Sequence, residues 1–154
     1  MRILMVCLGN ICRSPLAEGI MQHHLQVNGI QGQVDSAGVL SFHQGEPPQP
    51  GSIRVANKHG IDISHQRSRP LVAQDFDDFD WIFTMDESVH EHIRGKAQSE
   101  MQLGKIHLFM TYANAINDPN VLDPYQMGDD AFEHVYQVLN KACMDVIKKM
   151  KSVA

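Results

Sequence analysis

Cys7 and Arg13 bracket the run Cys7-Leu8-Gly9-Asn10-Ile11-Cys12-Arg13, with Ser14 and Pro15 directly after it. A thiol and a guanidinium joined by a short flexible loop suit the capture of a phosphate. Gly9 and Asn10 tolerate left-handed backbone, so the loop can curl its amides inward as an anion nest. Arg13 adds a planar fork that matches two phosphate oxygens. Leu8, Gly9, Asn10, Ile11, Cys12, Arg13 and Ser14 are therefore the candidate phosphate binders. The guanidinium and a helix N-terminus after the loop both favour Cys7 as thiolate. Held under a bound phosphate, that thiolate is a nucleophile aimed at phosphorus. The same nest stabilises charge on the transferring group.

The leaving oxygen still needs a proton. Asp123, in Leu122-Asp123-Pro124-Tyr125, is the candidate donor. Like charge from a bound phosphate dianion favours a protonated carboxyl, ready to give its proton and later to take one from water. The plainer reading of the same residue is an Asp-Pro turn. Cys12 also has a plain reading, packing beneath the loop, and Cys143 falls on an apolar helical stripe, where a core role wins. His90-Glu91-His92 lacks the spacing of a zinc-binding helix and there is no Cys-x-x-Cys pair, so no metal or other cofactor is expected. The acidic run Asp75, Asp77, Asp78, Asp80 reads as a solvated face.

The elements that must hold these residues alternate along the chain. Ile3 to Val6 is a continuous apolar run, as in a central parallel strand buried on both faces. Ser14 suits an N-cap and Pro15 the first helical position. Leu16, Ile20, Met21 and Leu25 then recur at helical spacing until Asn28-Gly29. Gln33 to Ala37 predicts a second strand, Ser52 to His59 a helix, Trp81 to Met85 a third strand, Glu87 to Ile93 a short helix and Lys105 to Met110 a fourth strand. Met110 to Asp129 reads as a long irregular loop. Phe132, Val135, Tyr136, Leu139, Cys143, Val146, Ile147 and Met150 mark a final amphipathic helix. The expected fold is α/β: one domain over 1–154, an open sheet of about four parallel strands with helices on both faces. Such sheets bind ligands at the carboxyl ends of their strands, so the loop after the first strand and the long loop after the fourth should meet.

Composition narrows the function. A chain of 154 residues with 43% hydrophobic and 20% charged residues folds as a globule. Its formal net charge of -5 argues against a general nucleic-acid binder. Ile3-Leu4-Met5-Val6 is too short for a membrane span or a signal-peptide core, so a soluble, cytoplasmic protein is expected, with no membrane insertion. Three cysteines do not make a secreted disulfide framework.

The stretch Val6 to Glu18 resembles the signature loop of the low-molecular-weight protein tyrosine phosphatases. Asp35-Ser36-Ala37-Gly38, His59-Gly60-Ile61, Ser64-His65, Met85-Asp86-Glu87-Ser88 and Asp123-Pro124-Tyr125 resemble further motifs of that family in the same order. The resemblance implies a cysteinyl-phosphate on Cys7, phosphate binding by Arg13, and Asp123 as general acid and then base. It implies that Asn10, Ser14, Ser36 and His65 support the loop, and that Leu8, Ile11, Phe42 and Tyr125 wall the substrate pocket. Cys12 would trap oxidised Cys7 as a reversible disulfide. The implied substrate is a phosphotyrosine-containing protein, with a tyrosine kinase of polysaccharide export as partner if the source is bacterial, and the implied state a monomer or weak dimer. Ile11 replaces the smaller polar residue of related bacterial arginine phosphatases, which favours phosphotyrosine.

Four positions depart from the family pattern: Val39 for Thr, Phe42 for Trp or Tyr, Gln49 for Asp, and Gln126 for the second Tyr of vertebrate members. They bear on the rim and the substrate preference. Two other readings stand beside the phosphatase. A thiol-dependent arsenate reductase would need further exchange cysteines near Cys7, and only Cys12 is close in sequence. A non-catalytic phosphotyrosine-binding or redox-sensing module would bind without turnover.

Overall fold

A computed structural model describes residues 1–115 and 118–153. Residues 116 and 117, inside the segment expected to be a long loop, lie outside the described residues, as does residue 154. Four strands, β1 (Arg2–Cys7), β2 (Gln33–Gly38), β3 (Trp81–Thr84) and β4 (Ile106–Leu108), form one sheet in the order β2-β1-β3-β4. Every pairing is parallel, so β1 has a neighbour on each side. Val6 pairs with Ala37 of β2 and Thr84 of β3, which fixes the end of β1 against the ends of both neighbours.

The apolar run of β1 serves two cores because successive side chains leave a strand on opposite faces. Ile3, Met5 and Cys7 join the larger core, built with α1 (Arg13–Val27), α2 (Pro50–Lys58) and α7 (Asp129–Ser152). Leu4 and Val6 join a smaller core with Phe76 and Phe79 at α3 (Asp75–Asp78), and Val89 and Ile93 of α4 (Glu87–Arg94). Helices therefore cover both faces, as expected. Cys143 lies fully buried in the larger core, where burial pushes its thiol up.

Several boundaries differ from expectation, each for a local reason. β4 stops at Leu108 because the chain turns at once into α6 (Phe109–Tyr112), which buries Phe109 in the larger core. α2 begins at Pro50, whose fixed φ suits a first helical residue. The short α3 and α5 (Glu100–Leu103) had no periodic signal, since each is a single turn. Asp75 is not part of a solvated face: it is buried, accepting from the Val72 amide and from Arg69.

Candidate active site

β1 ends at Cys7 and α1 begins at Arg13, so the five residues between them are the turn from strand to helix. Asn10 takes the left-handed conformation, with φ 58°, and Gly9 does not. The loop thus needs one residue of that kind, not the two its sequence allows. Gly38 is required for another reason: a Cβ there would stand 3.0 Å from the backbone of Leu8 and Gly9.

Four of the five loop carbonyls are claimed from outside. Leu8 O accepts from the Leu40 amide, Gly9 O from Ser68 Oγ, Ile11 O from the Gln49 amide and Cys12 O from Ser52 Oγ. In a planar trans peptide the next N–H points opposite the C=O. The amides of Gly9, Asn10, Cys12 and Arg13 therefore turn away from that shell, and the Asn10 amide reaches Cys7 Sγ at 3.3 Å. This is a nest of amides at a helix N-terminus, a natural seat for an oxyanion.

Ser14 does not cap α1. Cys12 holds the cap position, and Ser14 sits inside the first turn with its hydroxyl 2.9 Å from Cys7 Sγ. Asn10 Nδ2 donates to Ser14 Oγ at 2.8 Å and to Ser36 Oγ at 2.9 Å. Asn10 Oδ1 accepts from the Arg69 amide, which fixes the orientation of the side-chain amide. Three of the four expected loop supports, Asn10, Ser14 and Ser36, are thus connected. His65 is not: it is exposed and lines a separate cavity. The Ser36 hydroxyl instead donates to Glu18 Oε1 at 2.7 Å, a partner with no signal of its own in the sequence.

Arg13 is buried, with 4% of its side chain exposed. Its Nη1 donates to Asp86 Oδ2 at 2.7 Å and to Val121 O at 3.2 Å, and its Nη2 lies 3.6 Å from Asp123 Oδ2. Burial works against its charge, but Cys7, Asp86 and Asp123 outweigh burial and raise its proton affinity. In the sequence Asp86 stands out only as part of Met85-Asp86-Glu87-Ser88, and its tie to Arg13 spans 73 residues that no local pattern bridges. Asp123 has 46% of its side chain exposed, and its Oδ1 accepts from the Tyr125 amide. It is thus both a turn former and a carboxylate at the mouth. Cys12 is buried, and burial, Asp123 and Cys7 push its thiol up to about 12, against a smaller pull down from Arg13.

Above the nest lies a cavity of about 160 Å³ shared by Cys7, Cys12, Arg13 and Asp123. The expected walls Leu8, Ile11, Phe42 and Tyr125 all line it, and so do Leu40 and His43. His43 stands edge-on to both Phe42 and Tyr125 and is held by Glu46 at 2.7 Å. A lone histidine in a polar loop carries no sequence signal for this bridging place.

A parallel α/β sheet with an amide nest, a thiol and a guanidinium at the carboxyl end of its central strand defines an oxyanion-binding thiol site. Residues 2–153 match the family model described as low molecular weight phosphotyrosine protein phosphatase, and the chain belongs to that family of hydrolases. The family member of Schizosaccharomyces pombe is 37% identical over 138 residues, covering 88% of this chain and 87% of the relative. A protein tyrosine phosphatase from Entamoeba histolytica, crystallised with Hepes in its active site, has a TM-score of 0.92 at 34% identity, covering 99% of this chain and 97% of its own. A Drosophila arginine phosphatase matches with a TM-score of 0.92 at 34% identity over 98% of each chain.

Proposed function

We propose that this protein hydrolyses phosphotyrosine in proteins through a cysteinyl-phosphate. The observation that carries the reading is the convergence of Cys7, Arg13 and Asp123 on one cavity under inward-turned amides. The donors around Cys7 Sγ, namely the Asn10 amide, the Ser14 hydroxyl and the nearby guanidinium, all suit a sulfur anion. In the first step the thiolate attacks phosphorus, the S–P bond forms and the P–O bond to the ring breaks, while Asp123 gives its proton to the leaving phenolic oxygen. In the second, Asp123 takes a proton from water, the water oxygen attacks phosphorus, and the thiolate and inorganic phosphate depart.

The walls favour an aromatic substrate. Ile11 and Leu8 offer apolar sides, and Phe42 and Tyr125 offer rings to a phenyl group entering the slot. A phosphoserine is too short to touch them while its phosphate reaches the nest. The Drosophila neighbour supports a second reading, phosphoarginine, which the apolar Ile11 wall disfavours. Hydrolysis rates on matched phosphotyrosine and phosphoarginine peptides separate the two.

Cys7→Ser is expected to abolish aryl-phosphate hydrolysis, and near-normal turnover would refute the assignment. Asp123→Ala should cost roughly 10²–10⁴-fold with poor leaving groups and progressively less as leaving-group pKa falls. A small uniform loss would remove Asp123 as the acid. Cys12 is proposed as the thiol that condenses with a peroxide-formed Cys7 sulfenic acid, releasing water and forming a disulfide. Cys12→Ser should then recover poorly when thiol is added after peroxide, and full recovery would end that role.

A further inference from the structure

We infer that Glu18 is a positioning residue that sets the direction of the hydrogen bonds reaching the Cys7 sulfur. The inference rests on Cys7 being the nucleophile. It follows from counting protons along the chain Cys7–Ser14–Asn10–Ser36–Glu18. Asn10 Nδ2 is the donor to both hydroxyls, because its Oδ1 is taken by the Arg69 amide. Each hydroxyl therefore has one proton left to direct. The proton of Ser14 goes to Cys7 Sγ, 2.9 Å away, and that of Ser36 goes to Glu18 Oε1, 2.7 Å away.

The arrangement has one stable sense only while an acceptor stands at its far end. A carboxylate accepts and cannot donate, so it holds the Ser36 proton outward and leaves both Asn10 protons for the serines. A neutral acid or an amide at position 18 can donate to Ser36 instead. The donor at position 18 then shares the Ser36 lone pairs with Asn10 Nδ2, the Ser36 proton loses its acceptor, and the Asn10 amide that also holds Ser14 is no longer fixed, so the Ser14 bond to sulfur loses its set direction. That bond matters most when the sulfur is an anion, above all as the leaving group when the cysteinyl-phosphate breaks down.

Glu18 is also placed to change charge near neutrality. Burial raises its pKa to about 7, with a further push from Asp35, against the pull of the Ser36 hydroxyl and of Arg69. The groups sharing its surroundings are Asp35 of β2, Arg69 of the loop before α3, and, around the adjoining cavity of about 410 Å³, His23 of α1 and Asp62 and His65 after α2. That cavity gives the carboxyl a route to solvent protons. Above about 7 it is an anion and only accepts, while below that value it is neutral and can donate.

The test compares steady-state aryl-phosphate turnover of the parent enzyme and Glu18→Gln across pH. Ionisations common to both cancel in the ratio of their rates. The ratio should be near one below pH ~6 and rise to about tenfold above pH ~8, the scale of one weakened hydrogen bond to an ion. In a Ser36→Ala background Glu18→Gln should change nothing further, because the connection is already cut. A ratio that is flat with pH, whether near one or uniformly raised by a merely structural defect, overturns the inference. An effect that persists undiminished without the Ser36 hydroxyl also overturns it. Should Ser36→Ala fail to fold, the pH dependence of the ratio decides alone. A parent enzyme with no turnover at all would instead sink the phosphatase reading, so the two failures are distinct.

Discussion

Asp86 uses each carboxylate oxygen for a different purpose. Oδ1 accepts from the Val89 amide as the N-cap of α4, and Oδ2 accepts from Arg13 Nη1 at 2.7 Å. One side chain thus ties a helix start to the guanidinium that faces the nest. The two tasks separate by substitution. Asp86→Asn keeps an oxygen for the cap, but its NH₂ would face the Arg13 donors. It is expected to lower kcat/KM for aryl phosphates by about tenfold, by loosening a charge-assisted bond, with little change in thermal stability. Asp86→Ala should lose activity and in addition about 1 kcal/mol of stability from the cap. Kinetics and melting curves on both variants check this, and an Asp86→Asn enzyme that matches the parent would show that Arg13 needs no such anchor. At this scale the sequence was informative where chemistry is local. Cys7, Asn10, Arg13 and Ser14 lie within one short stretch from the end of β1 to the first turn of α1 and could be read from type and spacing. Asp86, Glu18 and His43 act through partners that only the fold brings near. The left-handed Asn10 was half legible: two residues in the loop allow that conformation, and only the fold shows that Asn10 takes it.

Elements meet at the site because the sheet is parallel. β1 and β3 run the same way, so the ends that carry Cys7 and Thr84 are adjacent, and the loops leaving them must share space. The Met85 amide donates to Val6 O, and the Val121 amide donates to Met85 O, which draws the 118–127 segment over the end of β1. The Glu87 amide donates to Asn120 Oδ1 and fastens the same segment to the start of α4. Asp123 reaches Arg13 through these backbone ties. Alternation of apolar runs and helical stripes was enough to expect a parallel sheet and therefore this meeting. It was not enough to place single-turn helices such as α3 and α6, whose few residues give periodicity nothing to repeat. Nor could it show that Ser14 lies past the helix cap, because a serine before a proline has the same pattern whether it caps a helix or supports a thiol.

For the whole molecule, one strand joins two cores. The larger packs Ile3 and Met5 against α1 and α7, and the smaller packs Leu4 and Val6 against α3 and α4. Neither layer can open without exposing half of β1, so the chain is expected to unfold as one cooperative unit. The sole tryptophan, Trp81, reports on this well. It begins β3, pairs with Ile3 of β1 and packs against the larger core. In a urea titration, Trp81 fluorescence and far-ultraviolet circular dichroism should therefore change together. Met5→Ala and Leu4→Ala remove fully buried side chains from opposite faces of the same strand. Each should lower the stability by about 2–5 kcal/mol, moving both signals to the same lower midpoint. If Leu4→Ala moved the dichroism transition and left that of Trp81 in place, the smaller core would be a separately unfolding layer. The end of β1, with Cys7 on it, would then rest on only one of its two faces.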